Sequence, residues 1–125
     1  MFKGKYIDLS YITEMGEGED AFVKDMVGTF LKDAPGILIQ MNQSARMKDW
    51  KKAGVLAHQF KTSLMFMGIQ SLFDTIRHIE KSGRGMENHD SIPVWIDEVT
   101  VTCREAIREL NDFLQQGPGI APLRK

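Results

Sequence analysis

The chain has 125 residues and a single cysteine, Cys103, so an internal disulfide is excluded. With no disulfide framework to hold it, a reducing cytoplasm is the expected compartment. Charge of one sign is missing too. Sixteen basic residues against seventeen acidic ones leave a net charge of −1, which gives no general pull toward nucleic acid or an anionic membrane. No apolar run approaches the roughly 20 residues that span a bilayer, so membrane insertion is not expected. The opening Met1-Phe2-Lys3-Gly4-Lys5-Tyr6-Ile7-Asp8 has no signal-peptide core, because charges interrupt it at once. No Gly-x-x-x-x-Gly-Lys-Ser/Thr loop or other Gly-rich nucleotide motif occurs, and autonomous ATP chemistry would need more chain. Histidines number three and are scattered. That excludes the clustered His/Cys spacing of a metal centre.

What the chain does have is helical rhythm. Residues 8–14 can form a short helix ended by Gly16 and Gly18. Asp20 then caps a segment whose Phe22, Val23, Met26, Val27, Phe30 and Leu31 form a broad apolar stripe. Asp33-Ala34-Pro35 is expected to stop it. Pro35 suits the first turn of a second segment burying Ile37, Leu38, Met41 and Ala45. Asp49 caps the next helix, with Ala53, Leu56, Ala57, Phe60, Leu64 and Met67 inward and Gly68 at its end. Ile69, Leu72, Phe73, Ile76 and Ile79 continue the rhythm to Ser82-Gly83-Arg84-Gly85. Ser91 and Pro93 open a last helix carrying Trp95, Ile96, Val99, Cys103, Ala106, Ile107, Leu110, Phe113 and Leu114. Gly117-Pro118-Gly119 breaks it, leaving 117–125 as a flexible tail. The expected fold is all-α. Four long helices with short connections form an antiparallel, up-down-up-down bundle, with one or two additional helices at the N-terminal end.

One histidine stands out from this rhythm. An α-helix turns about 100° per residue. With Phe60 at zero, the apolar residues of its helix fall within roughly 60°, while His58 lies roughly 160° away. His58 therefore faces outward. Lys51, Gly54, Val55, Thr62, Met65 and Phe66 share that outer half, and Lys61 sits at its edge. Gly54 leaves room there, and Val55, Met65 and Phe66 add apolar surface of the kind that marks docking sites. Contact of Phe66 with a neighbouring helix explains that residue equally well. Lys48, Lys51, Lys52 and Lys61 make one end and side of this helix basic. We read Lys51 and Lys61 as steering residues and the other two as solvated.

Ala57-His58-Gln59-Phe60-Lys61, with Gly68 ten residues beyond the histidine, Leu72 four later and then Ile79-Glu80, resembles the histidine phosphotransfer (HPt) domain. The resemblance covers roughly residues 8–115, which sets the domain at 1–116. One departure is Thr62, where the family usually has Gly. It stands one turn from His58 on the same face and narrows a partner's approach, though its hydroxyl can hydrogen-bond a phosphoryl oxygen.

The resemblance implies a phosphocarrier in a phosphorelay, not an enzyme. His58 would accept a phosphoryl group from a receiver-domain aspartyl phosphate and pass it to another receiver aspartate. An imidazole of ordinary pKa, about 6.5, is mostly neutral near pH 7 and so nucleophilic. Lys61, one turn on, can offset phosphoryl charge. The implied partners are receiver domains of a response regulator or hybrid histidine kinase. Any magnesium would sit on the receiver, so the carrier needs no cofactor of its own, and it is expected to be a monomer. The alternative is an HPt-like interaction module that docks a signalling partner without taking phosphate.

Glu80 falls in the apolar stripe of its helix. His58 and Glu80 stand at similar heights on either side of the turn at Gly68, roughly 15 and 18 Å from it. Glu80 can orient the His58 ring, pair with Lys61 or cap backbone elsewhere; the sequence leaves these open. His78 and His89 read as incidental, Cys103 as inert core, and the eight methionines as gap-fillers rather than haem ligands.

Overall fold

A computed structural model describes residues 3–85 and 87–116. Five α-helices account for most of them: α1 (Ser10–Met15), α2 (Asp20–Arg46), α3 (Trp50–Phe66), α4 (Phe73–Gly85) and α5 (Ile92–Gln116). Short 3₁₀ turns at Gln70–Leu72 and His89–Ser91 lead into α4 and α5. Helices α2 to α5 form the antiparallel bundle. Its main packing pairs are α3 with α4, α2 with α3, α2 with α5 and α4 with α5, which closes a ring of four. α1 packs on α2 outside this ring. The core is one continuous cluster, with Val27, Met41, Phe60, Leu64, Ile76, Ile79, Val99 and Leu110 among its members. Cys103 lies within it, and burial pushes its thiol up to about 12. It is inert core at neutral pH.

The expected break at Pro35 does not occur: α2 runs unbroken from Asp20 to Arg46 with Pro35 inside. Its buried residues Val23, Val27, Phe30, Ala34, Leu38 and Met41 form one stripe that passes straight through the proline. Pro35 and Gly36 are exposed, so water can satisfy the carbonyl that Pro35 leaves without a donor. The helical cost of a proline is about 3 kcal/mol. Burying several large side chains, each worth about 1.5–3 kcal/mol, exceeds it. The two segments expected on either side of Pro35 are therefore one helix. Asp20 is the first residue of that helix, and its cap position, Glu19, makes no side-chain capping bond.

Turn chemistry elsewhere follows the sequence closely. The Asp49 carboxylate accepts from the Lys52 N–H, capping α3. At the end of α3, Gly68 (φ +66°) and Ile69 donate back to Met65 and Leu64 in a Schellman pattern. A Cβ on Gly68 would also lie 2.1 Å from the Asp8 carbonyl oxygen. The N-terminal strap passes that close because Asp8 N–H donates to Met67 O. Glu109 of α5 pins the same strap, its carboxylate accepting from the N–H groups of Lys5, Tyr6 and Ile7.

The methionines divide. Met41 and Met67 are buried and Met26 is half-buried, as gap-fillers should be, but Met15, Met47 and Met65 are exposed. The 117–125 tail and its Gly117-Pro118-Gly119 break lie outside the described residues.

Candidate functional site

The site lies on the seam between α3 and α4. These helices approach closely because two glycines face each other. A Cβ on Gly83 would lie 2.5 Å from Trp50 O and 2.8 Å from the Cα of Gly54. One on Gly54 would lie 3.1 Å from the Arg84 nitrogen and 3.2 Å from the Glu80 carbonyl oxygen. Gly54 was expected on the solvent half, leaving room for a partner. It is buried, and α4 occupies that room. A helical wheel shows that Gly54 is off the main stripe; it does not show that α3 buries a second stripe against α4.

This close crossing lets a residue at the edge of the α4 core stripe reach the outer face of α3. Glu80 is 14% exposed at its side chain and His58 57% exposed. His58 Nδ1 lies 2.6 Å from Glu80 Oε2. Lys61 Nζ donates to Oε1 at 2.9 Å, and Arg84 donates through an NH group to Oε2, also at 2.9 Å. The inward carboxylate and the outward imidazole thus meet at the helix seam, and Glu80 takes both His58 and Lys61.

The Lys61 hydrogen bond, foremost, and that of His58 hold the Glu80 carboxyl down at about 2 against the opposing effect of burial. The carboxylate is therefore ionised at any neutral pH and can only accept hydrogen bonds. It follows that Nδ1 of a neutral His58 carries the proton and Nε2 keeps its lone pair. The Glu80 carboxylate is thus shared between two basic side chains, Lys61 and Arg84, and the His58 ring.

The remaining expected contacts separate into two groups. Lys51, Val55, Thr62 and Met65 are exposed on the ridge with His58. Phe66 is half-buried, its ring stacked on Tyr11 of α1 at 5.9 Å between centroids. Phe66 thus contacts a neighbouring helix. His78 packs on Trp95 and His89 on Trp50. Among the described residues no group of three or more His, Cys, Asp or Glu side chains is placed to hold a metal ion. No helix among them is long and apolar enough to cross a membrane.

Two participants were missed. Arg84 follows Glu80 by four residues, the spacing at which helix side chains pair, and that signal was present. Tyr11 carried none, since its helix is short and its partner distant in sequence.

Comparison with known families gives the class of this helical bundle. Residues 25–116, well over half of the chain, match the family model for the Hpt domain, and the chain belongs to that family. Hpt domains are phosphocarriers that act with receiver domains in phosphorelays. The match begins inside α2, so α1 and the strap before it lie outside it. No curated protein and no solved structure matches the chain.

Proposed function

We propose that this chain carries a phosphoryl group between receiver domains, with His58 Nε2 as the acceptor. The observation that carries this reading is the 2.6 Å contact between His58 Nδ1 and the ionised Glu80. It leaves Nε2, on a ring more than half exposed, as the free nucleophile.

In the forward step the Nε2 lone pair attacks phosphorus. The bond from phosphorus to the receiver's aspartyl oxygen breaks, and the carboxylate leaves with that electron pair. The Nδ1 proton stays in place, and Glu80 offsets the positive charge that grows on the ring. The phosphoryl group brings about two negative charges, which Lys61 and Arg84 stand ready to balance. In the return step a receiver aspartate attacks phosphorus and the pair of the P–N bond goes back to Nε2. Such a transfer needs positioning and charge stabilisation above all. Magnesium and the acidic pocket would be the receiver's. The chain would act without binding ATP, as a cytoplasmic monomer, with Lys51, Val55, Thr62 and Met65 meeting the receiver around the histidine.

The test is incubation with phosphorylated receiver domains. Label should appear on this chain in acid-labile, base-stable form, and His58→Gln should remove it. If the His58→Gln chain labels as well as wild type, the assignment fails. Binding without label on any receiver would favour the docking-only role.

A further inference from the structure

The ridge that carries His58 differs chemically at its two ends. Lys51 lies seven residues before the histidine and Met65 seven after, each about 10 Å away along the helix. Beside Lys51 stands Lys52, and the backbone of Arg84 lies across the glycine crossing with its guanidinium turned to Glu80. At the Met65 end a groove of about 400 Å³ opens between α1 and the α3–α4 turn, with Tyr11, Met65 and Phe73 as apolar walls and Asp8 and Glu14 as acidic lining. Tyr11 is 47% and Met65 45% exposed. The nearest base is Lys3, whose exposed Nζ lies 3.9 Å from Asp8 Oδ2; Glu14 has no such partner among the ion pairs of the described residues. From Tyr6 to Val23 the chain has five acidic residues and no Lys or Arg.

A typical partner patch covers about 800 Å² per side, roughly 30 Å across. Any receiver that reaches His58 therefore covers both ends of the ridge. We propose that the receiver docks in one orientation. Its acidic pocket lies toward Lys51 and Arg84, and a lysine or arginine flanked by apolar side chains fills the groove between α1 and the end of α3.

The groove's chemistry selects that occupant. An aliphatic stem packs on Tyr11 and Met65 while its charged head reaches Glu14 and competes with Lys3 for Asp8. Turning the receiver around would set its carboxylates against those two residues and a cation against Arg84, which like-charge repulsion disfavours. Asp8, Tyr11 and Glu14 precede the residues matched by the family model, whereas Met65 and Phe73 fall within them. The inference rests on the carrier role proposed above and refines how the receiver sits.

Two measurements test it. In the first, phenethylammonium is titrated into the ¹⁵N-labelled chain. It should shift the amides of Tyr11, Glu14, Met65 and Phe73 saturably, with half-saturation at roughly 1–10 mM. The neutral isostere 2-phenylethanol should bind at least about threefold more weakly. Absence of saturable shifts there, or equal binding of the two probes, overturns the proposal. The second uses a receiver that labels His58. Glu14→Lys should slow transfer about fivefold or more at low salt, and the difference should shrink below about twofold at 0.5 M salt. Asp97→Lys makes the same charge change on exposed α5 and should stay within about twofold of wild type. If Glu14→Lys and Asp97→Lys behave alike, the orientation is wrong even though His58 still labels. If no receiver labels His58, the carrier reading fails and the titration alone decides the groove.

Discussion

Replacing Glu80 by glutamine keeps the shape of the side chain and removes its charge. Oε2 accepts from His58 and Arg84, and Oε1 from Lys61. An amide has one acceptor and one donor end. If its oxygen faces His58 and Arg84, its NH₂ meets the Lys61 ammonium, donor against donor. If it flips, the NH₂ faces Nδ1, which must then become the acceptor and move its proton to Nε2, the nitrogen needed for attack. Neither arrangement satisfies all three neighbours, so the ring should sample both tautomers. Hydrogen bonds to charged groups are worth about 1.5–3 kcal/mol when buried. Lys61 and Arg84 reach solvent, however, so the stability loss should be only about 1 kcal/mol. The effect on transfer should be larger. Loss of a ring-orienting partner costs about 10–100-fold, or about 1.4–2.7 kcal/mol in the barrier. Ring ¹⁵N shifts report the tautomer, and single-turnover transfer from a phosphorylated receiver reports the rate. A Glu80→Gln chain with wild-type ring shifts and a transfer rate within about twofold of wild type would refute the argument that Glu80 sets the tautomer.

Three further outcomes follow from particular contacts. Gly83→Ala should push α4 outward by roughly 1 Å, since its methyl would otherwise lie 2.5 Å from Trp50 O. Overpacking of about 1–3 kcal/mol should outweigh the roughly 1 kcal/mol helical gain. Denaturant midpoint and His58 ring shifts should therefore move together. Lys48 sits at φ +57° in the Schellman turn after α2, a glycine position filled by lysine. Lys48→Gly should raise stability by about 0.5–1 kcal/mol, read from urea unfolding. Acid should weaken the fold through Glu80, whose folded pKa of about 2 lies below its ordinary 4.5. The unfolded chain binds the proton more readily, so this contribution is complete above about pH 4.5 and lost as pH falls toward 2. The full difference corresponds to about 3 kcal/mol; with Lys61, Arg84 and His58 all partly in water, about 1–2 kcal/mol is expected from unfolding curves at pH 5 and pH 2.5.

The outward histidine was legible because it needs only the pitch of one helix. Asp49 and Gly68 were legible for a similar reason, since a cap and a left-handed turn are local requirements. Pro35 misled because propensity is also local, and a buried stripe on the far side of the helix overrode it. Gly54 and Glu80 were read incompletely for the opposite reason, because each depends on a neighbour. Taken alone, Gly54 is a gap in the surface of α3 and Glu80 a carboxylate too close to the core of α4. The two observations explain each other once Gly83 is set against Gly54. Two side chains reduced to hydrogen bring the backbones close enough for a carboxylate at the seam to reach an imidazole on the outer face. Arg84 enters the same cluster because its own backbone rests on Gly54. The packing of α3 on α4 and the contact of Glu80 with His58 Nδ1 therefore have one cause, and a change in either glycine should register in both.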